Sequence, residues 1–182
     1  VLHRNGEDVN TGDKKVLDTA LVDLQKMSAA TNPKIDILAY TEIPAGTRVV
    51  NQCWSGDMLL GVWYLPEDVD WTVLSYWQPE DMITGNDFFC VAKNAERPVL
   101  AHEFINFFLD VDNALENFGW TGYQPALEAL PASTLIEWEY VPETLANALI
   151  TPEQYASGNR AVALTPEVDA LWTDVWANFT AG

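Results

Sequence analysis

Three observations predict an α/β fold for this sequence. Long segments carry apolar residues at the spacing of a helix buried on one face. Short apolar runs of strand length fall between them, and clusters of Gly, Pro and Asn separate the two kinds. At 182 residues, with 48% hydrophobic and 20% charged side chains, the chain has the size and composition to bury a core. It can do so as one large domain or as two small lobes.

The first element is a helix over 13–28. Val16, Leu17, Ala20, Leu21, Leu24 and Met27 form one stripe, and Thr11 or Asp13 caps its start. Ile35, Ile37 and Ala39 alternate with polar neighbours, which predicts a strand over 34–40 before the turn at Pro44-Ala45-Gly46. A buried strand is expected over 49–54, with a helix over 55–64 behind it. Further strands are expected over 71–77, closed by Pro79-Glu80-Asp81, and over 88–92, closed by Lys93-Asn94-Ala95. Pro98 suits the first turn of the next helix, with Leu100, Ala101, Phe104, Ile105, Phe108 and Leu109 on its apolar face. Another helix covers 112–118 and ends at Gly119, before an aromatic loop over 120–125. From 131 to 158 the pattern is broken by Pro142, Pro152 and Gly158. The last helix is the best defined: Thr165 caps it, Pro166 opens it, and Val168, Leu171, Trp172, Val175, Trp176 and Phe179 share a face.

A net charge of −18 excludes whole classes of partner. Affinity for a phosphate backbone comes from Lys and Arg, so no nucleic acid is expected, and anionic membrane surfaces fall on the same ground. The field draws cations in. No apolar run reaches the roughly 18 residues of a membrane span. The polar start, with His3, Arg4, Asn5, Gly6 and Glu7, carries no secretory leader, so the chain is expected to be a processed form or a fragment. Cys53 and Cys90 are too few for a zinc site or a disulfide framework. They are read as buried free thiols, with a bridge open if their flanking strands lie side by side.

No catalytic arrangement stands out. His3 and His102 are far apart in sequence, and no nucleophile elbow, phosphate loop or dinucleotide fingerprint is present. The chain is therefore read as a binding protein, not an enzyme, with no cofactor and no metal. Hard cations want several clustered oxygens, which the sequence does not offer. The chemistry concentrates at Trp54-Ser55-Gly56-Asp57 and at Asn86-Asp87-Phe88-Phe89. Each places an aspartate at a break in an apolar run beside aromatic rings. A buried carboxylate costs several kcal/mol unless it is compensated. A cationic ligand compensates it, and an aromatic face adds about 0.5–2 kcal/mol of cation–π attraction. Helix capping by Ser55 and Asp57 is the competing reading. From a different class, a secreted carbohydrate-active domain would use Asp57 and Asp87 as acid and base. The eight tryptophans would then be its sugar platforms.

In chain order, Val9-Asn10-Thr11, Trp54-Ser55-Gly56-Asp57, Pro79-Glu80, Asn86-Asp87 and Ala92-Lys93-Asn94-Ala95 form a series. His102-Glu103-Phe104-Ile105-Asn106-Phe107 and the 119–125 loop continue it. The series resembles the later part of the spermidine/putrescine-binding proteins of bacterial ABC importers, from about residue 9 to 131 and more loosely in the last helix. The resemblance implies a periplasmic-binding-protein-like (type II) two-lobed fold. Residues 1–84 would belong to the second lobe, 85–131 would return to the first, and 132–182 would return to the second. It implies capture of a polyamine in the periplasm or at the cell surface, for delivery to an ABC permease.

Residue by residue, the resemblance assigns Trp54 to pack on the polyamine chain, and Asp57 and Asp87 to take ammonium groups. It assigns Trp120, with Tyr123 as the alternative, to an aromatic wall. Gly85 stands where the family has Trp or Phe, which opens the aromatic box and leaves another small solute, such as an amino-acid derivative, as the alternative ligand. The chain is roughly half the length of a family member. Pairing with an absent front half, or self-association, is therefore expected.

Overall fold

A computed structural model describes residues 1–79 and 81–181. The expected α/β class does not hold. The chain is 51% helical, and among the described residues the β pairing is an isolated parallel bridge between Ile83 and Asn159. The sheet-based type II periplasmic-binding-protein fold is overturned with it.

The helices are α1 (Lys14–Thr31), α2 (Ala39–Glu42), α3 (Ser55–Leu60), α4 (Pro98–Phe107), α5 (Val111–Thr121), α6 (Ala132–Glu137), α7 (Pro152–Ser157) and α8 (Pro166–Thr180). Short 3-10 turns occupy His3–Asn5, Gly61–Tyr64, Trp71–Val73 and Glu143–Ala148. Expected strand 34–40 is irregular and runs into α2, 71–77 begins as a 3-10 turn, and among the described residues 49–54 and 88–92 pair with no other strand. Val49 and Val50 are 93% and 87% exposed. An extended segment persists as a strand only when a neighbour takes its N–H and C=O groups and a layer covers its apolar face. Among the described residues the strand pairing is not supplied. Glu80, in the turn expected after 71–77, lies outside the described residues.

The helix expectations fare better because their signals are local. Asp13 caps α1 by accepting from the Lys15 N–H, and Thr165 caps α8 by accepting from the Val168 N–H. The end of α5 differs from expectation: the helix runs through Gly119 and stops at Gly122, whose φ of 73° is the left-handed conformation of a helix C-cap. No helix among the described residues is long and apolar enough to cross a membrane.

The chain divides into two compact units. One comprises 1–35, 83–85 and 158–182. In it α1 packs on α8, burying Leu17 and Ala20. Trp172 donates its indole N–H to the Thr11 carbonyl at 2.9 Å, and the Asn10 side chain bonds Arg160 O and Val162 N at 2.9 and 3.0 Å. Asn10, part of the motif series, is thus a clamp on a neighbouring segment. The other unit comprises 36–82 and 86–157 and holds the main core. Met58, Leu59, Leu74, Leu115, Phe118, Leu130, Leu135, Val141, Leu145 and Leu149 are buried together there. Each such side chain contributes about 1.5–3 kcal/mol by leaving water.

Candidate cation-binding site

The best-built polar group in the larger unit sits where α3 meets α5. Trp54 is the N-cap residue of α3 and its side chain makes no capping bond. Asp57, in the first turn, reaches back to the Trp54 backbone N–H, which is half of a capping box. The capping role is therefore real. It uses only part of the carboxylate, because Asp57 Oδ1 also accepts a hydrogen bond from the Tyr123 hydroxyl at 3.3 Å.

Two glycines make this contact possible. A methyl group at Gly56 would come to 2.5 Å of the Tyr123 ring. A methyl group at Gly122 would collide with the Gly56 carbonyl oxygen. With both side chains absent, the end of α5 approaches the first turn of α3 and lays the Tyr123 ring across it. Gln124 then pins the chain beyond, accepting from Ile150 N at 2.8 Å and donating to Ile150 O at 3.1 Å.

The electrostatics of the group are those of uncompensated negative charge. Burial pushes the Asp57 carboxyl above its ordinary range, against the opposing pull of Tyr123 and the Trp54 N–H, and no Lys, Arg or His contributes. The Tyr123 phenol is pushed up to about 12 by burial, then by the charge and hydrogen bond of Asp57, with Asp87 adding to the effect. Burial and Asp57 push the Cys53 thiol up to about 11, so it is protonated at neutral pH and a poor nucleophile. Burial, with Cys53 and Asp57, also raises the Tyr76 phenol, whose hydroxyl donates to Cys53 O at 3.4 Å. Asn86 donates to the Tyr155 hydroxyl at 2.8 Å, anchoring the residue next to Asp87 on α7.

Of the residues expected at the site, Tyr123 lies within electrostatic reach of both Asp57 and Asp87, and Trp54 stands at the start of the helix that carries Asp57, 65% exposed. Trp120 does not join them. It faces a different concavity with Trp63 and Tyr140, so Tyr123, the alternative, is the aromatic that joins Asp57. Gly85 lies in the smaller unit, where a side chain would meet nothing within 4 Å. Both cysteines are free; Cys53 is half-buried but Cys90 is exposed, contrary to expectation. His102 is an exposed helix residue whose Nδ1 bonds Pro98 O at 2.7 Å.

Sequence reasoning missed Tyr76. Nothing local marks it, since its hydroxyl reaches Cys53 O from 23 positions away through tertiary packing. Among the described residues no three His, Cys, Asp or Glu side chains are grouped to hold a metal ion. Compared with family models, curated proteins and solved structures, the chain matches none.

Proposed function

We propose that the chain captures a linear di- or polyamine of the putrescine type, as the solute-binding component of a bacterial ABC importer working in the periplasm or at the cell surface. Asp57 carries the ligand class. It is a half-buried carboxylate raised by desolvation, with a phenol and a backbone N–H as partners and no cation contributing. An ammonium group supplies the missing charge. Asp87 offers a second carboxylate, and the Trp54 and Tyr123 rings offer apolar walls for the methylene chain between them. The importer role and the permease partner rest on the ordered motif series in the sequence.

Titration calorimetry with putrescine and with neutral 1,4-butanediol tests the ligand class. Putrescine should bind at millimolar affinity and the diol should not. A hydrogen bond to a charged group contributes about 1.5–3 kcal/mol, so Asp87→Asn should weaken putrescine by about tenfold to a hundredfold. Equal responses to diamine and diol, or an Asp87→Asn variant that binds normally, would sink the reading. Turnover of an oligosaccharide would replace it with the carbohydrate-active one.

A further inference from the structure

Trp120 leads to a second concavity in the larger unit. Asp112, Leu115, Glu116, Gly119 and Trp120 fall at helical spacing on one face of α5 and line a pocket of about 480 Å³ with Trp63 and Tyr140. That volume lies in the range of small-ligand sites, ~300–1,000 Å³. None of Trp54, Asp57, Asp87 or Tyr123 lines it. The walls are held in place by their own anchors. Trp63 donates its indole N–H to the Gly119 carbonyl at 2.7 Å, fixing one ring against the end of α5. Tyr140 follows Glu139, whose φ of 59° is left-handed. Glu139 N–H bonds Ile136 O and Tyr140 N–H bonds Leu135 O, both at 3.0 Å, so α6 ends in a Schellman turn that projects Tyr140. A glutamate takes the place where glycine costs least.

The rings are not spent on packing. Trp120 and Trp63 remain 75% and 71% exposed, around a floor made by the buried Leu115. Single exposed aromatics are ordinary, but here three line one concavity, where their faces are free to meet a cation. The charged residues in the lining have one sign: Asp112 and Glu116 stand one turn apart, and among the described residues no Lys, Arg or His lines the pocket. Like charges at that spacing repel, and a bound cation relieves the repulsion.

The geometry points to a binding site for a compact organic cation, a quaternary or alkylated ammonium, held by the Trp63, Trp120 and Tyr140 faces with Asp112 and Glu116 at the rim. The ligand differs in shape from a linear diamine. A diamine needs separated carboxylates, whereas these two share one turn and face a single aromatic enclosure.

Choline and its neutral carbon isostere 3,3-dimethylbutan-1-ol are the probes, followed through the indole N–H resonances of the intact chain. Trp63→Phe and Trp120→Phe variants assign those resonances. Choline should shift the Trp63 and Trp120 signals at millimolar concentration and leave Trp54 unmoved, and the alcohol should bind at least threefold more weakly. Trp120 is exposed, so Trp120→Ala should keep the fold while weakening choline about threefold to thirtyfold, the range of one cation–π wall. Asp112→Asn with Glu116→Gln should weaken it further and reduce its salt dependence. Equal binding of alcohol and choline, no binding of choline, or shifts centred on Trp54 would each overturn the assignment. Because putrescine is read at Asp57 and Asp87, failure here leaves that test standing, and the reverse holds.

Discussion

The α3–α5 junction and helix α4 lie in the same compact unit and meet opposite fates. α5 is moderately apolar, yet it buries Ala114, Leu115 and Phe118, and α3 buries Gly56, Met58 and Leu59. α4 is the most apolar of the long helices and buries nothing. Its Phe104 and Phe107 pack instead with Phe108, and Phe89 stacks on Phe108 with ring centroids 5.1 Å apart. Val99, Leu100, Phe104, Phe107 and Leu109 stay more than half exposed. Apolar content alone does not bury a helix. α5 has a partner shaped to receive it, because Gly56 and Gly122 allow close approach, and α4 has none among the described residues.

The largest expected effect tests the packed side. Phe118→Ala should cost about 3–5 kcal/mol in denaturant unfolding, the range for deleting a buried phenyl ring, whereas Phe104→Ala on α4 should cost under about 1 kcal/mol. Equal losses would mean that α4 is packed more tightly than its exposure indicates.

Glycines sharpen the contrast next. Gly122→Ala forces a side chain into a left-handed backbone and against the Gly56 carbonyl, and should cost about 2–4 kcal/mol while detaching Tyr123 from Asp57. Three residues earlier, Gly119→Ala meets nothing within 4 Å inside the helix. It should stabilise by about 0.4–1 kcal/mol, the usual gain from replacing a helical glycine. Thermal melts of the two variants should move in opposite directions.

Smaller, and specific to the junction, is a pH effect from Asp57. Its folded carboxyl is raised above the ordinary 3.8. Between that value and the raised one the folded state holds a proton that the unfolded chain has lost, so stability falls as pH rises through this window. Asp57→Asn should remove that part of the pH dependence. In the intact chain, putrescine affinity should fall as pH drops through the same window. A melting profile identical in both proteins would show that Asp57 is not desolvated.

The smallest change in stability, with a visible change in assembly, belongs to α4. Exposed apolar patches drive association, and α4 is nearly uncharged in a chain of net charge −18. Its face is thus one where two copies can approach with little repulsion. Phe104→Ser with Phe107→Ser should leave unfolding within about 0.5 kcal/mol of the parent. Sedimentation is expected to show the parent self-associating through this face and the double variant doing so about tenfold more weakly. Unchanged association would place the contact elsewhere.

What was legible in the sequence follows from range. Caps at Asp13 and Thr165, Pro98 at a first turn and the apolar stripes of α1 and α8 act over one or two helical turns, so sequence alone located those helices. It also singled out Trp54, Asp57, Asp87 and Trp120, with Tyr123 as the alternative to Trp120, as candidates for holding a cation. Tertiary structure decided the rest. Runs at 49–54 and 88–92 have strand composition but, among the described residues, no strand to pair with, and a strand is a property of two segments rather than one. The segment 131–158 looked broken, yet it supplies Leu135, Val141, Leu145 and Leu149 to the core, because short turns of helix bury leucines without displaying a period. Only packing could show that Gly56 and Gly122 bring Tyr123, not Trp120, onto Asp57. That choice depends on a close approach between residues 66 positions apart, which no local pattern encodes.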